Sequence, residues 1–197
     1  MSKEELIRMK NVLVIVDMIN GFKKFGNMAI TDADHIDGEI LRLVKLFLGN
    51  GDDVVSIQEG HSEDSVEFND FPGHGILNTP EAELVDFLKP FEKKMKVIRK
   101  NSTSGFVTKE FQEYLEKNKH LIKKMIFVGV CEDICVLNIA IPTKMYFNEN
   151  NIDCEIIVPQ NAVETFDSET HPREEYKILT KKLLRLNGIK VPERYEG

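Results

Sequence analysis

Apolar positions along this chain alternate between two rhythms. Asn11–Asp17, NVLVIVD, is an unbroken β-branched run of the kind a strand buried on both faces carries. Ile36, Ile40, Leu41, Val44, Phe47 and Leu48 then recur at helical spacing, and Gly49-Asn50-Gly51 supplies the stop. DVVSIQ (Asp53–Gln58) predicts a second strand, followed by a polar loop from Glu59 to Thr79. A short helix is predicted over Pro80–Leu88, with proline at its start and Leu84, Val85 and Leu88 as its apolar face. MKVIRK (Met95–Lys100) reads as strand three, Lys109–Lys117 as an amphipathic helix and KKMIFVGV (Lys123–Val130) as strand four. A helix from Ile134 to Asn148 leads to strand five, DCEIIVP (Asp153–Pro159). Arg173–Leu186 makes the last helix, and Ile189–Val191 an edge strand. Strand–helix alternation with buried strands predicts an α/β fold, a three-layer doubly wound sandwich with a mainly parallel central sheet. With no repeat, linker or low-complexity tract, residues 1–197 read as a single domain.

Composition narrows the partners more than the fold. The 42% hydrophobic and 30% charged content is that of a globular chain. A net charge of -7 without a long Lys/Arg run argues against nucleic acid or an anionic membrane surface as the main partner. No apolar run approaches the ~20 residues that span a bilayer. The start, MSKEELIRMKNV, has neither the apolar stretch nor the small-residue cleavage site of a secretory signal. Three cysteines, an odd number, therefore read as reduced thiols of a cytoplasmic protein.

Open parallel sheets bind ligands beyond the carboxyl ends of their strands. Asp17 follows strand one, Glu59 and His61 follow strand two, Lys100 ends strand three, and Cys131 to Cys135 follow strand four. Each residue has an ordinary reading. Free cysteines are commonly small buried apolar residues, and Cys154, inside a strand pattern, is read so. Cys135 instead lies in the first turn of a proposed helix, where helix-end amides favour a thiolate and bind a developing oxyanion; Cys131 still belongs to the turn before it. At that rim the Cys135 thiol is expected to be exposed. Asp17 reads either as a cap for the following loop or as the base that takes a thiol proton. Lys100 is either solvated or a fixed charge holding both groups in register. Glu59 and His61, two apart, face the same way in an extended segment, and His74 is thirteen residues further on. They form either an acidic surface loop or a carboxylate-plus-two-histidine metal site. There is no GxGxxG, GxxxxGK[ST], CxxC or GxSxG motif, so dinucleotide, P-loop, zinc-ribbon and serine-elbow chemistries have no support.

Four segments in order, VLVIVDMINGF, HSEDSVEF with FPGHGILNTPEAEL, VIRKNSTSGF and VGVCEDICV, resemble the isochorismatase-like cysteine hydrolases, and among them the nicotinamidases, from about Asn11 to Thr165. The resemblance implies a catalytic triad of Asp17, Lys100 and Cys135, with Cys135 as nucleophile. It implies a cis peptide at Val130–Cys131, with the backbone amides of Cys131 and Cys135 as oxyanion hole, and Phe22 and Phe71 as aromatic walls around a flat ring. Glu59, His61 and His74 match the metal ligands, although the family usually has Asp at position 59 and many members have a further His at Ser65. The implied cofactor is a divalent transition ion, zinc first, with iron or manganese as alternatives. The implied reaction is hydrolysis of nicotinamide to nicotinate and ammonia in NAD salvage, by a homo-oligomer acting on a small-molecule amide. The alternatives are a metal-independent amidase of the same superfamily acting on carbamoyl or ureido substrates, and a non-catalytic thiol-sensor or binding module.

Overall fold

The computed structural model describes residues 8–30 and 32–197. The opening MSKEELI lies outside the described residues, and the reading of the start as lacking a signal goes with it. Six strands form the sheet: β1 (Lys10–Val16), β2 (Asp53–Glu59), β3 (Lys96–Lys100), β4 (Ile122–Val130), β5 (Glu155–Ile157) and β6 (Val163–Glu164). Their order is β3-β2-β1-β4-β5, with β6 also on β4, and every pair is parallel. Among the described residues five α-helices accompany them: α1 (Asn20–Lys23), α2 (Asp37–Asn50), α3 (Lys109–Asn118), α4 (Leu137–Glu149) and α5 (Arg173–Leu186).

The unbroken apolar run of β1 has a direct cause. Val12, Val14 and Val16 point to one face, where they join Phe111 and Leu115 of α3, Ile139 and Phe147 of α4 and Leu184 of α5. Leu13 and Ile15 point to the other, against Ile40, Leu43, Val44 and Phe47 of α2. A strand covered on both faces has no use for polar alternation. Truncating either layer, as in Leu13→Ala, would cost about 2–5 kcal/mol in transfer and cavity terms. Gly51 ends α2 with φ 70, its N–H returning to Phe47 and Leu48 carbonyls, a turn that only glycine makes without steric cost.

Four predicted elements differ. Pro80–Leu88 is not a helix: only Pro80–Ala82 makes a 3-10 turn. Asn20 N–H donates to Glu83 O (2.9 Å) and Val85 N–H to Met18 O (3.1 Å), so the segment is drawn out as a strap across the loop after β1. Backbone bonds to that loop replace the helix's own, while Leu84, Val85 and Leu88 remain buried. The helix predicted from Ile134 begins instead as a wide π turn, Glu132–Val136, before α4. Strand five contracts to Glu155–Ile157, and Ile189–Val191 contributes a single bridge between Ile157 and Lys190. Among the described residues no helix is long and apolar enough to cross a membrane.

The carboxyl ends of β1, β2, β3 and β4 meet at one rim. β1 and β4 approach so closely there that a Cβ on Gly129 (φ +113) would lie 2.0 Å from Val16 O. The next peptide, Val130–Cys131, is cis.

Candidate active site

Asp17 leaves β1 with φ 52 and is fully buried. Its N–H continues the ladder to Ile57 O (2.8 Å), and its Oδ1 accepts the Glu59 N–H (2.9 Å). Its Oδ2 lies 2.9 Å from Lys100 Nζ. Lys100, the last residue of β3, is not solvated: its side chain is 0% exposed. Its ammonium also donates to Glu59 Oε1 (2.7 Å) and to Cys135 Sγ (3.7 Å). One buried cation is thus shared by two carboxylates and a thiol, and ligand atoms of Asp17, Glu59 and Cys135 lie within 4.8 Å of one another.

This enclosure sets the titration of each group. Burial pushes Asp17 up to about 6, against the pull of Lys100 and with help from the Glu59 charge. Burial also pushes the Cys135 thiol well above its usual range, Lys100 opposing. Burial disfavours the ammonium of Lys100, but Asp17, Cys135 and Glu59 outweigh it and hold the charge on. The thiol expected to be exposed at the rim is 4% exposed, because the π turn folds Cys135 down onto Lys100 instead of presenting it to solvent.

Glu59 extends from the triad to the histidines. Its Oε2 lies 2.7 Å from His74 Nε2 and 3.3 Å from His61 Nε2. His74 Nδ1 sits 2.7 Å from Pro72 O, which can only accept, so that nitrogen donates. His61 Nδ1 faces Asn101 Oδ1 (2.9 Å), with the Ser65 hydroxyl at 3.3 Å. Both rings therefore turn Nε2 inward, the arrangement in which an imidazole offers a lone pair to a cation. Burial works against the charged ring in each, but Glu59 outweighs it, and both histidines are raised. Burial would raise Glu59, yet Lys100 and the histidines hold it well below the carboxylate range.

Glu67 completes the cluster, its Oε1 3.8 Å from His61 Nε2. Ligand atoms of Glu59, His61, Glu67 and His74 all lie within 4.8 Å of one another. Glu59 Oε2, His61 Nε2 and Glu67 Oε1 are buried without a hydrogen bond of acceptable geometry. Converging orphan nitrogen and oxygen atoms are what a divalent ion with borderline ligand preference requires, so these residues fit such an ion.

Above both clusters is a pocket with about 260 Å³ of empty space, lined by Phe22, Phe71, Met28, Ile134, Thr103, Glu67 and Cys131, with Cys135 at its floor. Phe22 meets the His74 ring edge-on at 5.6 Å, and Phe71 does so at 6.4 Å. A larger groove at the opposite end of the sheet, between Asp52–Val55 and α3, carries no nucleophile or histidine.

Every residue singled out from sequence lies in this one region. Reading by motif missed Glu67, Phe68 and Asn101. Phe68 packs its ring 5.2 Å from His61 and 5.8 Å from His74. Glu67 and Phe68 stand on a 3-10 turn, Val66–Asn69, that brings them back over His61; a polar loop with no periodicity gave no signal of that return. Asn101 could have been noted as the residue directly after Lys100, at the same strand end.

Residues 11–178 match the Isochorismatase domain family, and the chain belongs to the isochorismatase family. It is 28% identical over 182 residues to nicotinamidase 1 of Arabidopsis thaliana, covering 84% of this chain and 73% of that protein. The crystal structure of nicotinamidase PncA from Bacillus subtilis matches with a TM-score of 0.79 at 28% identity, covering 94% of this chain and all of that one. N-carbamoylsarcosine amidase from Thermoplasma acidophilum matches with a TM-score of 0.75 at 26% identity, covering 96% of this chain and 100% of that one.

Proposed function

We propose that the protein is a cysteine-dependent amidohydrolase that converts nicotinamide and water to nicotinate and ammonia. The observation that carries this reading is Lys100 Nζ standing 2.9 Å from Asp17 Oδ2 and 3.7 Å from Cys135 Sγ, at the floor of a small pocket walled by Phe22 and Phe71. The thiol is held protonated by burial, so it needs a base at the moment of attack; Asp17, raised to about 6, is a stronger base than an ordinary aspartate. Asp17 takes the Cys135 proton as the sulfur attacks the carboxamide carbon, and Lys100 keeps both groups in register. The backbone amides of Cys131 and Cys135 receive the oxyanion. The proton held by Asp17 goes to the leaving nitrogen, ammonia departs, and water cleaves the thioester with Asp17 again as base.

Glu59, His61 and His74, with Glu67 adjoining, would hold a divalent transition ion, zinc before iron or manganese. When bound, that ion supplies an anchor for a ring nitrogen and for water, which orients the ring against Cys135. Phe22 and Phe71 flank the ring and favour a flat aromatic amide over an aliphatic one.

A second reading is supported by the likeness to N-carbamoylsarcosine amidase: a carbamoyl or ureido amidase using the same thiol without metal. Ammonia release from nicotinamide, pyrazinamide and a carbamoyl amide, before and after chelation, separates the two. Turnover of the pyridine amide that falls on chelation supports the first reading. Turnover of the carbamoyl amide alone, untouched by chelator, replaces it with the second. A protein that released no ammonia and showed no burst with thiol-reactive probes would be a binding module on this fold.

A further inference from the structure

Glu132 opens the turn that carries Cys135 and is 0% exposed, although nothing in the chemistry above uses it. Its partner is Gln160, 7% exposed, in the connection between β5 and β6. Gln160 Nε2 donates to Glu132 Oε1 at 3.0 Å. The second atom of each group, Glu132 Oε2 and Gln160 Oε1, is buried with no hydrogen-bond partner. An ionised Glu132 offers only acceptors, and Gln160 Oε1 is an acceptor too, so as a carboxylate the pair leaves both oxygens unsatisfied. A proton on Glu132 Oε2 is the donor such a pair lacks, and an O–H directed at Gln160 Oε1 would satisfy both orphans.

The charged groups facing Glu132 do not replace that proton. Lys177 and Lys181 approach from α5 and Glu164 from β6. Lys177 is committed to Glu164, with Nζ 3.1 Å from both of its oxygens. Glu164 also takes His35 Nε2 at 3.0 Å and Arg173 Nε at 3.7 Å. Asp133, next on the turn, points away to Thr165 Oγ1 and His171 Nε2, each at 2.5 Å. We propose that Glu132 is a positioning residue that works in its neutral form, paired with Gln160 through two hydrogen bonds that clamp the nucleophile-bearing turn to the β5–β6 connection. Burial, opposed by Gln160 and the two lysines and reinforced by Glu164, pushes this carboxyl up to about 7.

The pH dependence has a definite sign. In the unfolded chain the carboxyl titrates near its ordinary 4.5, and in the folded protein near 7. Between those values the folded state binds more protons, so this group's contribution makes stability fall as pH rises through the window and level off above it. Glu132→Gln keeps both hydrogen bonds, because an amide N–H takes the place of the acid O–H. Its thermal unfolding should lack that fall, and it should unfold at a higher temperature than the parent at pH 8. Its kcat should stay within about twofold of the parent at pH 6, while Glu132→Ala, which strands Gln160, should lower kcat at least ~10-fold with KM nearly unchanged. Infrared difference spectra of parent against Glu132→Gln at pH 6 should contain the carbonyl stretch of a protonated carboxyl, replaced by a carboxylate band at pH 9. That band and the unfolding profile need no substrate, so they decide the proposal even if the alanine variant does not fold or nicotinamide is not the substrate. A carboxylate band already present at pH 6, or a Glu132→Gln protein less stable than the parent at pH 8, would overturn it.

Discussion

Replacing Lys100 by methionine removes one positive charge and leaves most of the side-chain volume in place. In the native protein that charge sits 2.9 Å from Asp17 Oδ2, 2.7 Å from Glu59 Oε1 and 3.7 Å from Cys135 Sγ, with the Lys100 and Asp17 side chains 0% exposed and that of Glu59 2%. Without it, two buried carboxylates lose their common counter-charge, and Asp17 Oδ2 loses its cation while Oδ1 keeps the Glu59 N–H. Breaking a buried ion pair by removing one partner costs about 3–5 kcal/mol. At roughly 2–4 °C per kcal/mol for a chain of this size, Tm should fall by about 6–20 °C. An exposed lysine of the same strand, Lys96, provides the control: Lys96→Met should stay within ~0.5 kcal/mol of the parent. Urea unfolding followed by circular dichroism gives both free energies, and ammonia release gives kcat, which should drop by at least ~100-fold for Lys100→Met alone. If Lys100→Met were as stable as Lys96→Met, the two carboxylates would have to share a proton without needing the lysine. The charge arrangement argued for the triad would then be wrong.

Cys135→Ala should abolish ammonia release, while Cys131→Ala should retain most of it, since only the Cys131 backbone is assigned a role; equal losses would contradict the choice of nucleophile. His61→Ala and His74→Ala should each lose a bound divalent ion, read as metal per chain after dialysis, and the KM for nicotinamide should rise. Glu59→Ala should weaken metal binding by at least ~10–100-fold, the scale of losing support around a metal site, and should also reduce kcat because Lys100 loses its 2.7 Å partner; normal kcat with weakened metal would separate the two functions of that carboxylate. Gly129→Ala should not yield a stable protein, because its Cβ would lie 2.0 Å from Val16 O at φ +113, a clash with backbone that no rotamer change relieves; a soluble variant with parental Tm would refute the close approach of β1 and β4.

The parts of the fold legible in advance were those whose apolar pattern answers to burial alone. NVLVIVD and KKMIFVGV are covered on both faces, so their runs are continuous and their type is unambiguous. Arg173–Leu186 is helical over the range its pattern predicts. Pro80–Leu88 misled because Leu84, Val85 and Leu88 are buried at helical spacing, while the backbone between them is claimed by Met18 and Asn20. Spacing records which side chains are buried; it does not record which carbonyl an N–H will find. The same limit explains the start of α4, where Ile134–Val136, the last three residues of the π turn, read in sequence as a first α turn.

At the site, motif reading selected residues that come together, because a parallel sheet brings strand ends to one rim whatever the loops do. The electrostatics were legible only in part: the charge of Lys100 between Asp17 and Cys135 was one of two readings, and its sharing with Glu59 had no signal. Lys100 looks like a surface lysine after Arg99, and only pairing of β3 with β2, Glu59 opposite Lys100, puts it between two carboxylates. The glutamate at position 59, a methylene longer than the aspartate usual in the family it resembles, also changes meaning in three dimensions. Its two oxygens divide the work: Oε1 meets Lys100 and Oε2 faces both histidines. A shorter side chain on the same backbone has less reach to serve both, so Glu59→Asp tests whether the longer residue matters for metal, for Lys100, or for their connection. Retained metal together with lowered kcat would place its importance at Lys100. Retained kcat together with lost metal would place it at the histidines. Loss of neither would mean that the backbone or the Glu67 side chain absorbs the difference.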